Sequence, residues 1–139
     1  MLHGSVVELH RIDLSRVSIV TTAYRATLEE QDDTILWLNH ALRNNGAEVS
    51  ILLAGNAVNY ALQGQDASGL AFGDKRVAHP PQLDQDLARL IAAKVPVSVV
   101  DEDVRERGLP LDRLIAGITR LSRSDVAAEM ERADHVWRW

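Results

Sequence analysis

A chain of 139 residues, 46% hydrophobic and 25% charged, has the make-up of one globular domain that can bury a core without a disulfide or metal staple. A net charge of −5, from 20 acidic against 15 basic residues, and an aromatic content of 4% argue against a nucleic-acid partner. With no cysteine, the chain has no disulfide, thiolate zinc site, iron–sulfur cluster, catalytic thiol or persulfide carrier.

No run approaches the roughly 18 apolar residues of a membrane span. The first stretch is interrupted by Glu8, His10, Arg11 and Asp13, unlike a secretory signal, so a cytoplasmic location and no membrane partner are expected. Residues 1–15 read as an arm or an extra strand preceding a domain over 16–139. The β-branched run Arg16 to Thr22 predicts the first strand. Asp32, Asp33 and Thr34 offer helix-start chemistry, Ile35, Leu38, Ala41 and Leu42 recur at helical spacing, and Asn45-Gly46 is a helix stop. Glu48 to Leu53 is an apolar strand suited to burial on both faces, as in a parallel sheet. Asn56 to Leu62 predicts one or two helical turns, and 63–81 an irregular, exposed loop.

Leu83, Leu87, Leu90 and Ile91 mark one face of an amphipathic helix. Val95 to Val100 is a third strand, with Pro96 near its start where a missing donor is tolerated. Asp101 to Arg107 predicts a short helix ended by Gly108, followed by a turn over Leu111 to Ile115 and a short strand over Ile118 to Leu121. Ser122-Arg123-Ser124-Asp125 matches a capping box that opens a helix through Arg132, and His135 to Trp139 is a last strand. Strand and helix alternating at this spacing predict an α/β fold of three layers, a mostly parallel sheet of about five strands with helices on both faces. Ligands in such sheets bind beyond the carboxyl ends of the strands, where strand order reverses. The loops 22–25, 54–59 and 100–103 are expected to converge there.

Those loops supply the candidate pocket residues Tyr24, Arg25, Asn56, Asn59, Val100, Asp101 and Asp103, with His79 reaching in from the long loop. Gly55 permits close backbone approach, and the following helix start offers N–H groups to an anion; the simpler reading is that Asn56 caps that helix. The acids Asp101, Glu102 and Asp103 suit a hard cation, but acids in a first helical turn are stabilised by the helix dipole, and Arg105 and Arg107 stand close enough to neutralise them. The histidines (His3, His10, His40, His79, His135) show no zinc spacing, and no nucleophile elbow or phosphate-binding loop is present. No metal, no cofactor and no catalytic residue is therefore expected. Trp137 and Trp139 fall on one face of the last strand, as a core or interface pair.

Three stretches, Asp33 to Leu38 with Asn45 to Val49, Ile51 to Val58, and Val95 to Val100 with Arg107-Gly108-Leu109, together with the ending Ile118 to Trp139, resemble the DsrE/DsrF/TusD-like family of small sulfur-relay proteins. The resemblance implies a flavodoxin-like fold, assembly as a homotrimer or homohexamer, and in some members mixed rings with a paralogue. It also implies a persulfide-carrying cysteine at the end of the third strand, seven residues before the Arg of the Arg-Gly pair; that position is Val100 here. A second cysteine of some members falls at Asp103, and the Asp of the second-strand turn falls at Asn56. Sulfur transfer requires a thiolate. The expectation is a non-catalytic, oligomeric relative that carries no persulfide. The alternatives are an anion, nucleotide or metal-ion binder or enzyme using the strand-tip pocket, and a structural subunit of a cysteine-bearing paralogue.

Overall fold

The computed structural model describes residues 16–24, 39, 41–65, 71–76 and 82–138. Five strands make one sheet: β1 (Arg16–Thr21), β2 (Glu48–Leu53), β5 (Val97–Val100), β6 (Thr119–Leu121) and β7 (His135–Arg138). Their spatial order is β6-β5-β2-β1-β7, and every pairing is parallel. The expected α/β architecture is thus present. Between these strands lie a 3-10 segment (Gly55–Ala61), α1 (Leu83–Ala92), α2 (Asp101–Glu106) and α3 (Val126–Glu131). Helical residues 41–44 precede β2.

From β1 through β2 and β5 to β6 the chain steps in one direction across the sheet. Right-handed crossovers made in one direction fall on one face. The last crossover returns across the whole sheet to the far side of β1, so its helix must fall on the opposite face. Strand alternation then divides the core. Val17, Ile19, Val49, Ile51, Leu53, Val97 and Val99 face the larger cluster, with Leu42, Val58, Leu83, Leu87, Leu90 and Val104. Val20, Leu52 and Val100 face the smaller one, under Val126 and Met130 of α3. In register, Ile19 opposes Ile51 and Trp137, and Trp137 packs against the larger cluster.

The predicted elements recur with small differences. Leu83, Leu87 and Leu90 are buried and Ile91 is half-buried. Within 63–81, the described residues include a two-stranded hairpin, β3 (Ala71–Phe72) with β4 (Lys75–Arg76), whose Phe72 is 70% exposed. The capping box is not used. Ser122 makes no side-chain bond to the backbone of the following turn; its hydroxyl pairs with Ser124 Oγ at 3.0 Å. The Asp125 N–H that such a cap would bind donates to the Ser122 carbonyl at 2.9 Å, closing a 3-10 turn, and α3 begins only at Val126. The expected arm 1–15, most of the helix expected between β1 and β2, and Trp139 lie outside the described residues.

Asn39 is fully buried, and among the described residues neither of its amide atoms has a hydrogen-bond partner. An unsatisfied buried polar group costs about 1–3 kcal/mol. Replacing it by a hydrocarbon of similar size, Asn39→Leu, is expected to raise the urea midpoint. Leu53→Ala, at a fully buried position, is expected to lose about 2–5 kcal/mol in the same assay.

Candidate functional site

The carboxyl ends of β1, β2 and β5 are adjacent in the sheet, so the loops after them meet. The reversal of strand order lies beside β1, between β2 and β7, and the three tips run to one side of it. Gly55 follows β2 with a φ of +56°, a conformation open to glycine at little cost. A Cβ there would sit 3.6 Å from the Thr22 carbonyl oxygen, in contact with the tip of β1.

Across from Gly55, the first turn of α2 follows β5 without a linker and carries Asp101, Glu102 and Asp103. The Gly55 N–H donates to Asp103 Oδ2 at 2.8 Å. Arg123 Nη2 donates to Asp103 Oδ1 at 2.7 Å and reaches Glu106 Oε1 at 3.3 Å. Arg107 Nη1 lies 3.7 Å from Asp103 Oδ1, and its Nε donates to Asn56 Oδ1 at 3.1 Å. Asn56 therefore does not cap the 3-10 segment: Ala54 occupies the cap position, and the Asn56 oxygen is taken by Arg107. Arg105 Nε donates to Asp101 at 2.9 Å, and Arg120 Nε at 2.6 Å.

The expectation that Arg105 and Arg107 would neutralise the acids holds in part; the shorter contact on each aspartate comes from Arg120 or Arg123. Local patterning does not point to these two, because they are distant in sequence from the aspartates. The β5–β6 register brings them in: Val100 opposes Leu121, so residues flanking Leu121 stand beside the α2 first turn. Arginines around the end of the next parallel strand were the available signal.

The remaining site residues fall on two sides. Tyr24 hydroxyl donates to Gln65 Oε1, and its ring meets Tyr60 edge-on at 4.8 Å and 65°. Gln65 Nε2 donates to the Asn59 carbonyl at 2.8 Å, and Asn59 Nδ2 to the Asn56 carbonyl at 2.9 Å, linking Tyr24 to the tip of β2. Burial, with Tyr60 adding to it, pushes the Tyr24 phenol above its ordinary pKa. Val100 ends β5 but is only 3% exposed, packed with Val20 and Leu52 beneath α3. Arg25 and His79 lie outside the described residues. Among the described residues no three His, Asp or Glu side chains are grouped to hold a metal.

Chemically, this cradle is self-occupied. One backbone N–H and two guanidiniums converge on a carboxylate of the chain itself. Burial opposes the Asp103 charge, but the Gly55 N–H, Arg123 and Arg107 outweigh it and hold the carboxyl below its ordinary pKa. The Arg120 hydrogen bond, opposed by partial burial and aided by Arg105, does the same for Asp101. A folded-state pKa below the unfolded one gives stability that is complete above the unfolded value, about 3.9, and is lost as pH falls through the folded value. Asp103→Asn is expected to cost about 1–3 kcal/mol at neutral pH. In urea unfolding at stepped pH, its deficit against the parent should shrink below about pH 4.

The comparisons can be set beside this geometry. The model of the DsrE/DsrF-like family matches residues 17–137. The crystal structure of the YchN protein from E. coli aligns at 23% identity with a TM-score of 0.67, covering 90% of this chain and 99% of that one. MTH1491 of Methanobacterium thermoautotrophicum, described as a protein of unknown function, aligns at 17% identity with a TM-score of 0.56 and the same coverage. At these identities the likeness concerns the fold. No curated protein matches the sequence.

Proposed function

The chain belongs to the DsrE/DsrF-like family, and from that premise we propose that it is a non-catalytic, self-assembling member that carries no persulfide. The observation that carries this reading is the lack of any cysteine in 139 residues. Persulfide transfer proceeds by attack of thiolate sulfur on sulfur, and neither a hydrocarbon nor a thioether can take that part. The sulfur-relay resemblance puts the carrier position at Val100, whose side chain is packed in hydrocarbon. It puts the second cysteine at Asp103, whose carboxylate is engaged by Gly55, Arg107 and Arg123. With the tip cradle held by the chain's own side chains, the reading assigns the protein a binding or structural role, as a homotrimer or homohexamer in the cytoplasm.

Incubation with a low-molecular-weight persulfide donor, followed by intact-mass spectrometry, tests the first half. No stable sulfur adduct is expected, and one such adduct overturns the reading. Light scattering coupled to size exclusion tests the second half: a trimer or hexamer is expected, and a monomer removes the assembly. Co-purification from the native source with a cysteine-bearing paralogue would replace self-assembly by a mixed ring.

Restoring the cysteine is a separate test. The thiol of Val100→Cys would lie in a nearly closed apolar site, where burial disfavours thiolate. It is expected to react with a disulfide reagent far more slowly than the thiol of Ser124→Cys at an exposed position. Equal rates would mean that the strand tip is open.

A further inference from the structure

The end of the sheet opposite the strand tips holds a groove of about 590 Å³, within the range of small-ligand sites. It lies where β1 and β2 begin, between the turn into β5 and the end of α3. Four cationic residues, Arg16, Arg43, Lys94 and Arg132, line it with two acidic ones, Glu48 and Glu129. The acids are matched: Glu48 stands 3.9 Å from Arg16, and Glu129 stands 3.5 Å from Arg132. Arg43 and Lys94 make no ion pair or side-chain hydrogen bond among the described residues, so two positive charges at the groove are uncompensated. Between these charges it is lined by the apolar residues Ala93, Pro96 and Ala133, exposed or half-buried.

We propose that this groove is a binding site for a small organic anion with an apolar body, such as an aryl or alkyl carboxylate, sulfonate or phosphate. The apolar walls take the body, and Arg43 and Lys94 take the acid group. A neutral apolar molecule would leave the two charges uncompensated, and a small inorganic anion would leave the apolar walls wet. Arg43 and Lys94 stand at helix carboxyl ends, where the dipole already favours a cation, so the site is stable without its ligand. The site is independent of the strand-tip cradle and of whether the chain carries sulfur.

The test is a fluorescence titration of the full chain with the aryl sulfonate 1-anilinonaphthalene-8-sulfonate, beside the uncharged N-phenyl-1-naphthylamine. Lys94→Gly and Arg43→Gln are the variants. Lys94 has a φ of +65°, which glycine adopts freely, so Lys94→Gly is expected to fold with an equal or higher Tm. Saturable binding of the sulfonate by the natively folded chain is expected. It should weaken several-fold in each variant and with added salt, while binding of the neutral probe is unchanged by either substitution. Absence of saturable binding, or undiminished sulfonate binding in both folded variants, overturns the proposal. So does an equal loss of both probes, which would mean an apolar surface without charge selection. Recovery of stronger binding only on removal of residues 1–15 also overturns it, because the groove would then be a seat for the chain itself.

Discussion

The Asp103 carboxylate ties together elements that are far apart in sequence. It accepts the Gly55 N–H from the loop after β2 and the Arg123 guanidinium from the turn after β6, while itself sitting on α2. A half-buried carboxylate is stable only where donors replace its water; two arrive here from separate loops, and Arg107, one turn along the same helix, stands close by. That single contact fixes how the tips of adjacent strands meet. It also fills the space a ligand anion would need. Arg107 closes the arrangement by bridging Asp103 and Asn56, so the tip of β2 and the start of α2 are joined twice.

The two ends of the sheet differ for one underlying reason. In a parallel sheet with crossover helices, helix amino ends gather at the strand tips and carboxyl ends at the strand starts. Acids accordingly stand in the first turn of α2, and cations stand beside the ends of the helical residues 41–44, α1 and α3. At the tips, arginines from β6 and beyond answer the acids, giving a closed network. At the starts, two cations meet no acid among the described residues, giving a groove whose described lining is net positive. Three arginines of the tip network, Arg105, Arg120 and Arg123, are substantially exposed, so salt screens much of their attraction. The Gly55 to Asp103 bond is the more sheltered part.

Local patterning made most elements readable. The leucines of α1 recur at helical spacing and are the residues buried. The apolar run of β2 is buried because helices cover both faces of that strand. The structure departs from the local pattern at the caps. Asn56 and Ser122 have the chemistry of helix starts, yet Arg107 occupies one and Ser124 the other. A cap is a local competition for hydrogen bonds: at Asn56 a charged side chain from a distant element wins it, and at Ser122 a neighbouring hydroxyl does. The same limit hid Arg120 and Arg123 from the site.

The sequence by itself determined the missing chemistry and the fold class. No thiol can arise from 139 residues without cysteine, and alternation of strands and helices leaves few arrangements other than a parallel sheet. Only the tertiary structure decided which face Val100 occupies, which arginine answers which aspartate, and that Arg16, Arg43, Lys94 and Arg132 share one groove. Composition and periodicity depend on neighbours along the chain. Charge pairing and cavities depend on strand order and register, which bring together residues separated by tens of positions.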